Sequence, residues 1–318
     1  MAARLGFADR LAGGPKSADE LAALVRADSP ALSRLLRALV GLGLLVQDPA
    51  GRFGLTAAGS YLRDDIPGSQ RAAAIYATSE YVQRAWLALE HSVRTGEPAF
   101  DHVHGVSNWR YRHEHPEDGR QFNLFMTRAS EQEIPAILVA YDFSPHRRIV
   151  DVGGGRGHLL AAILAANPGA RGILVDLPAV VEDARAYLER RGVLARCELV
   201  GGSFFEAVPA GGDLYLLKHV LNSFADGPSG ALLSACRRAM DPGTTLLLIE
   251  RLVPSGPGMP AEALAEVALM DLQMLVMQAG GERTEEEFRT LLRPAGFTLR
   301  RVIPAAGPLS ILAAEPFP

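Results

Sequence analysis

Apolar and polar positions follow two different patterns along this chain, and the pattern changes near residue 147. Within ADELAALV and ALSRLLRALVGLG, apolar side chains recur at the three- and four-residue spacing of one helix face. Ser17, followed three residues later by Glu20, fits a capping box, and Pro30 suits a first helical turn. LLVQDPAGRFGLT is typical of two short strands around a turn. Helices followed by a hairpin predict a winged-helix-like region over residues 1–65.

Residues 66–145 are predicted to be helical, and they hold many of the aromatic side chains. Most of these rings are expected in the core and a minority in a pocket. Two His-x-His pairs also lie there, formed by His102, His104, His113 and His115. Side chains two positions apart on a helix point away from each other, so we expect no metal site.

Strand and helix signals alternate from residue 147 to about residue 253. The strand segments are RRIVDV, RGILVDLP, RCELVGG, DLYLLKHVL and TTLLLIERLV. This alternation is typical of a parallel sheet with helices on both faces, whose ligands bind at the carboxyl ends of the strands. The predicted fold class is therefore α/β, with a Rossmann-like sheet over residues 146–318 behind helical regions at 1–65 and 66–145.

A glycine-rich loop, DVGGGRG at residues 151–157, follows the first of these strands. A dinucleotide loop requires G-x-G-x-x-G, but counted from Gly153 its third glycine comes one residue early, and His158 occupies the required place. The pattern acid-x-G-x-G-x-G fits at every position. Asp176 ends the second strand about 20 residues further on, where a carboxylate accepts ribose hydroxyls. Together these features predict an adenosine ligand that has no pyrophosphate.

Five segments occur in a characteristic order: VDVGGGRGHLL, VDLPAVV, GGSFFEAVP, LYLLKHVL and GGERTEEEF followed by AGF. With the winged-helix-like N-terminus, they resemble the S-adenosylmethionine (SAM)-dependent small-molecule O-methyltransferases, which include plant caffeate and flavonoid enzymes and bacterial phenazine and anthracycline enzymes. The resemblance covers nearly the whole chain. It implies a class I methyltransferase sheet, SAM as cofactor, an aromatic or polyketide-like substrate of secondary metabolism, and a homodimer intertwined through the N-terminal region. The helix that usually precedes AARLGFADRL is expected to be missing or shortened.

The resemblance also implies cofactor-binding residues. In that family the loop glycines approach the aminoacyl part of SAM, the strand-end acid holds the ribose, and the next residue packs at the adenine. The residues after the double glycine of GGSFF lie on the adenine side, and a lysine lies near the cofactor. The family usually has aspartate at the position of Ser203. The matching residues are Gly153, Gly155, Gly157, Asp176, Leu177, Ser203, Phe204 and Lys218.

The catalytic position departs from the family. There the general base is the histidine of a His-Asp-Trp-like motif after the fourth strand, and in KHVLNSF that position is Asn222. His219 comes three residues earlier, and on an extended strand end it would face the opposite way. The carboxylates that flank the family's base match Glu250 and Glu282. The expected catalytic residues are Asn222, Glu250 and Glu282, acting by proximity and orientation.

An alternative remains open at this point. Some members of the family bind SAM but catalyse hydroxylation, decarboxylation or pericyclic chemistry, and the loss of the base histidine is compatible with that. The substrate pocket is expected to use the methionines of MDLQMLVMQ, because methionine fits flat apolar ligands, although Met270 is equally compatible with core packing. The pocket positions of the family match Phe122, Met126, Met274 and Gln278.

Charge and composition exclude other classes. The formal net charge of −4 gives no global basic field, and residues 1–65 hold eight basic against seven acidic side chains. Only Arg34 and Arg37 lie on the candidate recognition helix, so we expect no nucleic-acid partner, which leaves a winged-helix regulator as the weakest alternative. No apolar run could span a membrane, the charged N-terminus differs from a signal peptide, and Cys197 and Cys236 have no paired spacing. A cytoplasmic protein with reduced thiols is expected.

Overall fold

The computed structural model describes residues 1–254 and 261–317, and the chain forms two compact units. One unit comprises Met1–Gln83 and Arg112–Gln132, and the other comprises Arg84–Tyr111 and Glu133–Pro318. The functional division predicted from the sequence, at residues 65 and 145, stays a prediction.

The N-terminal elements are short helices followed by a hairpin, as the apolar spacing predicts. They are α1 (Ala2–Leu5), α2 (Phe7–Leu11), α3 (Ala18–Val25), α4 (Ser29–Gly41), β1 (Leu45–Gln47), β2 (Phe53–Leu55), α5 (Ala57–Ser60) and α6 (Arg71–Ala77). The Ser17 hydroxyl accepts the backbone N–H of Glu20 at 3.2 Å, and the Glu20 carboxylate accepts that of Ser17 at 2.6 Å. The predicted capping box is thus confirmed. β1 and β2 pair antiparallel, and Phe7, Leu36 and Phe53 are buried in the core of this region.

Helices also occupy the middle of the chain, as predicted. They are α7 (Glu80–Leu87), α8 (Leu89–Thr95), α9 (Ala99–His104), α10 (Asn108–Glu114) and α11 (Pro116–Ala140). His102 and His104 lie on α9, and the His102 ring stacks on His91 with 4.0 Å between centroids. Within the described residues, no three histidine, cysteine, aspartate or glutamate side chains are grouped as a metal ion would require. None of the described helices combines the length and apolar character needed to cross a membrane.

The second unit contains a sheet of seven strands among the described residues. Its strands are β3 (Arg148–Val152), β4 (Arg171–Asp176), β5 (Cys197–Gly201), β6 (Leu214–Lys218), β7 (Thr245–Arg251), β8 (Phe297–Ala306) and β9 (Leu309–Pro316). The spatial order is β5-β4-β3-β6-β7-β9-β8. The five parallel strands β3 to β7 confirm the predicted fold class. The antiparallel hairpin of β8 and β9 was not predicted, because the apolar run LSILAA has no period that distinguishes a buried strand from a buried helix.

Both faces of this sheet are covered by helices. These are α12 (His158–Ala166), α13 (Pro178–Arg190), α14 (Asp226–Ala239) and α16 (Glu285–Leu292), whereas α15 (Ala261–Met277) contacts α8 and α9. Leu216 packs in the core with residues of α12 and α13, whereas the adjacent Leu217 packs in the core with residues of α14 and α16. Strand order reverses at β3, which has β4 on one side and β6 on the other. The carboxyl ends of β3 and β6 therefore border the crevice where open α/β sheets bind ligands.

Candidate active site

The glycine loop connects β3 to α12, and three of its glycines have a left-handed backbone. The φ angle is 70° at Gly153, 60° at Gly155 and 75° at Gly157, values that residues with a side chain rarely adopt. A Cβ on Gly153 would lie 2.9 Å from the side chain of Val220, so packing also requires glycine there. At Gly155 no atom of the described residues, apart from its two chain neighbours, lies within 4 Å of the Cβ position. A ligand can therefore approach the backbone at Gly155.

Asp176 contacts this loop from the end of β4. Its Oδ2 accepts the N–H of Gly155 at 2.8 Å, and its Oδ1 accepts the N–H of Leu177 at 2.7 Å. Burial raises the pKa of Asp176, while these two backbone N–H groups oppose the rise. Leu177, 55% exposed, presents an apolar surface beside the carboxylate. An open backbone turn, an acceptor carboxylate and an apolar surface fit the aminoacyl, ribose and adenine parts of SAM.

Asp151, the acid of the loop motif, is buried beneath the glycines. A Cβ on Gly154 would lie 2.5 Å from the Asp151 carboxyl group, so no larger residue fits there. Burial, together with repulsion from Asp176, raises the pKa of Asp151 to about 7. Its Oδ2 has no hydrogen-bond partner within the described residues. Sequence analysis included Asp151 only as part of the motif, and burial gives it a second role in shaping the loop.

The GGSFF segment follows β5 and also reaches the loop. The Ser203 hydroxyl accepts the N–H of Phe205 at 3.3 Å. The Phe204 ring lies 4.9 Å from the Phe205 ring between centroids, and its Cε1 lies 3.4 Å from the Cβ position of Gly153. The structure thus brings Phe204 to the glycine loop, while contacts of Ser203 and Phe204 with adenine stay predictions.

Glu133 of α11 joins three side chains at the carboxyl ends of β6 and β7. Lys218 Nζ lies 2.6 Å from its Oε2, Arg251 Nη2 donates to its Oε1 at 2.7 Å, and His219 Nε2 lies 3.0 Å from both oxygens. Burial alone would raise the pKa of Glu133, but His219, Lys218 and Arg251 hold it well below the usual range. We call these four residues the Glu133 cluster. Sequence analysis missed Glu133, which lies 86 residues before His219 and has no local motif.

His219 does not lie on an extended strand end, so that premise of the sequence analysis is wrong. β6 ends at Lys218, and His219 has a left-handed backbone with φ of 53°. Its N–H donates to the carbonyl of Ile249 at 3.1 Å, and its ring lies between Glu133 and Glu250, with Nδ1 3.6 Å from Glu250 Oε2. These contacts hold a conformation that a non-glycine residue seldom adopts.

The three residues predicted to be catalytic lie close together in space. The first of them, Asn222, follows the His219 turn directly in the chain. Asn222 lies in a short 3₁₀ turn, Leu221–Ser223, and its Nδ2 donates to Glu282 Oε1 at 3.1 Å. Glu250 Oε1 accepts the N–H of Val220 at 3.1 Å and the N–H of Leu221 at 3.0 Å. Asn222, Glu250 and Glu282 are all buried. Their proximity was expected from the family alone, and their catalytic roles stay predictions.

The segment GGER, between α15 and α16, places Glu282 against the Asn222 turn. A parallel backbone bridge joins Leu252 to Arg283, so the segment lies beside the end of β7. The Asp271 carboxylate accepts the N–H of Glu282 at 2.8 Å. A Cβ on Gly280 would lie 2.0 Å from the carbonyl oxygen of Asn222. Close approach of two backbones, possible only for glycine, therefore sets the position of Glu282.

Arg283 binds the backbone of the turn that contains Asn222. Sequence analysis did not identify Arg283 as a site residue. Its Nη1 donates to the carbonyl of Leu221 at 3.0 Å, and its Nη2 donates to that of Phe224 at 2.8 Å. Its Nε donates to Asp226 at 3.0 Å. The guanidinium thereby satisfies carbonyls on both sides of Asn222 and restrains that residue.

The four residues predicted for the substrate pocket fall in both units. In the second unit, Gln278 Nε2 donates to the Ser223 hydroxyl at 3.2 Å and lies 3.1 Å from the sulfur of Met274, so both residues adjoin the Asn222 turn. In the first unit, the Phe122 ring lies 5.6 Å from that of Tyr76, and Met126 is half-buried. The structure brings Gln278 and Met274 together, and substrate contact by all four stays a prediction.

Three comparisons relate this chain to known proteins. A model of the O-methyltransferase domain matches residues 86–298, and one of the O-methyltransferase dimerisation domain matches residues 1–65. The chain is 42% identical to phenazine O-methyltransferase of Lysobacter antibioticus, over 99% of this chain and 91% of that protein. It is 41% identical to O-demethylpuromycin-O-methyltransferase of Streptomyces alboniger, over 99% of this chain and 84% of that protein.

A solved structure with the same fold contains ligands. It is an O-methyltransferase from neocarzinostatin biosynthesis in complex with SAM and 2-hydroxy-5-methyl naphthoic acid. The TM-score is 0.85 at 33% sequence identity, and the match covers 99% of this chain and 94% of that one. The comparison therefore extends over the N-terminal helices as well as the sheet.

Proposed function

Because this chain belongs to the O-methyltransferase family and is a SAM-dependent methyltransferase, we propose that it methylates a hydroxyl of an aromatic or polyketide-like small molecule of secondary metabolism without a histidine base. The predictions of the family, the enzyme class and the SAM cofactor are confirmed. The alternative of a non-methylating SAM-binding enzyme finds no support in these relatives, which are all named as O-methyltransferases. When bound, SAM supplies an electrophilic methyl group on a positively charged sulfur.

The main observation in support of catalysis without histidine is the hydrogen bond between Asn222 and Glu282. An amide cannot take up a proton near neutral pH, but it offers both a donor and an acceptor for a hydroxyl group. With one N–H held by Glu282, Asn222 has a fixed orientation and a second N–H with which to align the acceptor oxygen. Gly155 and Asp176 would hold SAM at the neighbouring strand ends.

Simple magnitudes make methyl transfer without histidine feasible. A phenol with a pKa of about 10 is ionised to roughly one part in a thousand at pH 7, a cost of about 4 kcal/mol. A general base contributes about 10²–10⁴-fold to a rate, whereas fixing two reactants in place supplies about 7–11 kcal/mol. Orientation is therefore the larger effect, and we infer a preference for acceptors with acidic hydroxyl groups.

Release of S-adenosylhomocysteine tests the proposed function directly. The purified protein would be incubated with SAM and a panel of hydroxyphenazines and hydroxynaphthoic acids, with acceptor-free reactions as the control. We expect stoichiometric S-adenosylhomocysteine and methylated acceptor, with faster turnover of the more acidic hydroxyls. Consumption of an acceptor without S-adenosylhomocysteine would overturn the proposal in favour of non-methylating chemistry.

Replacing Asn222 should separate orientation from base catalysis. Asn222→Ala is expected to lower kcat by about tenfold, the size of one neutral hydrogen bond. Asn222→His is expected to raise kcat on weakly acidic phenols, because Glu250 and Glu282 remain to position the ring. Steady-state kinetics with one acceptor would measure both variants, with the SAM dissociation constant as the control. A loss of about 10⁴-fold in Asn222→Ala would show that Asn222 does more than orient the acceptor.

The proposal also assigns a role to each part of the chain. Residues 1–65 match the dimerisation domain, and we propose that they form a homodimer and bind no nucleic acid. Residues 66–145 would cap the substrate, with Phe122 and Met126 in contact with it. Residues 146–318 bind SAM. A cytoplasmic location belongs to the same proposal, and Cys197 and Cys236 are free thiols.

The homodimer can be measured independently of activity. Large apolar side chains are exposed in the N-terminal and middle parts of the chain, among them Leu42, directly after α4, at 74% and Leu87 of α7 at 86%. We expect an apolar interface built mainly from residues 1–110, of the size that obligate dimers bury, about 2,000 Å² or more. Light scattering at micromolar concentration should give twice the mass of the chain. A monomer under these conditions would contradict the prediction.

A further inference from the structure

Glu282 has one carboxyl oxygen that no described residue uses. Its Oε1 accepts the Asn222 amide at 3.1 Å, but its Oε2 is inaccessible and has no hydrogen-bond partner among the described residues. The side chain as a whole is buried, with 7% of the residue exposed. An unpartnered buried carboxylate oxygen is costly unless a ligand or a proton satisfies it.

Glu250, the other carboxylate of the site, is bound differently. Its Oε1 accepts two backbone N–H groups, from Val220 and Leu221. Its Oε2, like that of Glu282, has no hydrogen-bond partner among the described residues, but it lies 3.6 Å from Nδ1 of His219. Glu250 therefore binds the backbone directly before Asn222 and stabilises the turn there. Of the two carboxylates, Glu282 is the one linked to the position that the family gives to its base.

From this geometry we propose that Glu282 is the catalytic base, accepting the hydroxyl proton of the acceptor at Oε2, directly or through one water. The inference rests on the proposed methyl transfer. The acceptor O–H bond breaks and its proton passes to Glu282, an oxygen electron pair forms the bond to the methyl carbon, and the carbon–sulfur bond breaks with its electrons left on sulfur. The products are the methyl ether and neutral S-adenosylhomocysteine, and Glu282 then releases its proton to solvent.

The charges around Glu282 suit this role. Burial, followed by repulsion from Glu250, raises the pKa of Glu282 to about 7, against the opposing effects of Asn222, His219 and Arg251. A base with a pKa near the working pH is the most effective. Two further charged side chains nearby have other partners: the Asp271 carboxylate accepts the Glu282 backbone N–H, and the Arg283 guanidinium donates to the carbonyls of Leu221 and Phe224.

The dependence of kcat on pH distinguishes a base from a structural carboxylate. With a hydroxynaphthoic acid of weakly acidic hydroxyl, the wild-type rate should rise through pH 7 and reach a plateau at about pH 8, because Glu282 is then ionised. In Glu282→Gln, which keeps the size and a hydrogen-bonding partner for Asn222, kcat at pH 8 should fall by about 10²–10⁴-fold. Its rate should keep rising tenfold per pH unit toward the pKa of the acceptor itself, about 10. Glu286→Gln removes an exposed carboxylate of α16 and should leave the profile unchanged.

Two further measurements keep the test decisive. Infrared difference spectra of wild type should contain protonated carboxyl bands of both Asp151 and Glu282 that titrate near pH 7, and the Glu282 band alone should be absent from Glu282→Gln. If that variant does not fold, Glu282→Asp replaces it: the carboxylate is kept but withdrawn by one methylene, so the midpoint of the kcat profile and one of the infrared bands should shift together, and no shift of the kinetic midpoint would overturn the inference. Equal plateaus in wild type and Glu282→Gln would overturn the inference while leaving methyl transfer intact. Absence of S-adenosylhomocysteine with every acceptor would instead overturn the proposed function.

Discussion

Alanine at position 280 should lower turnover by about 10²-fold and the free energy of unfolding by about 2–3 kcal/mol. A Cβ there would lie 2.0 Å from the Asn222 carbonyl oxygen and 2.6 Å from the carbonyl carbon of Ser223. Both are backbone atoms, so no change of side-chain rotamer can relieve the overlap. The GGER segment must move away, and it takes Glu282 with it. A displacement of about 1 Å at a catalytic group is sufficient for a loss of this size.

Thermal unfolding and steady-state kinetics would measure the two effects in Gly280→Ala. The matched control is Gly230→Ala, on α14, where no described atom outside the adjoining backbone of that helix lies within 4 Å of the Cβ position. That substitution lies inside a helix and should leave turnover unchanged and stability equal or higher, since alanine favours helix over glycine. Unchanged turnover in Gly280→Ala would mean that the position of Glu282 does not depend on this backbone contact.

Alanine at position 176 should raise the dissociation constant of SAM at least about 30-fold, equivalent to about 2 kcal/mol. In the proposed ribose site, the substitution would remove a charged acceptor from the ribose hydroxyls. It also removes the partner of the Gly155 and Leu177 N–H groups, which that carboxylate holds at 2.8 Å and 2.7 Å. Loss of the carboxylate therefore weakens SAM binding in two ways, by removing a contact with the ligand and by releasing the backbone of the glycine loop.

Isothermal titration calorimetry with SAM would test this, and S-adenosylhomocysteine would serve as a second ligand with the same ribose. Asp183→Ala is the matched control, because Asp183 is an exposed aspartate on the following helix, α13. Its affinity for SAM should equal that of wild type. An unchanged affinity in Asp176→Ala would remove Asp176 from the ribose site.

The glycine loop and the parallel sheet were predictable because their signals are local. A buried strand, a turn rich in glycine and an apolar helix follow one another within residues 148–166, and each follows from the residues that form it. The acid at Asp176 was predictable for the same reason, as the last residue of the next strand. The antiparallel β8 and β9 were not, because the apolar segment of β9 has no distinguishing period.

By itself, the sequence determined the family, and it predicted the adenosine-binding loop and the replacement of the expected histidine by Asn222, because each is a matter of residue type and spacing. Only the tertiary structure decided what surrounds His219 and that asparagine. Glu133, Glu250 and Glu282 come from a helix, a strand and a loop that are far apart in the chain. No local pattern records their contacts. The left-handed turn at His219 likewise depends on packing and hydrogen bonds from distant segments, since the intrinsic preference of histidine opposes it.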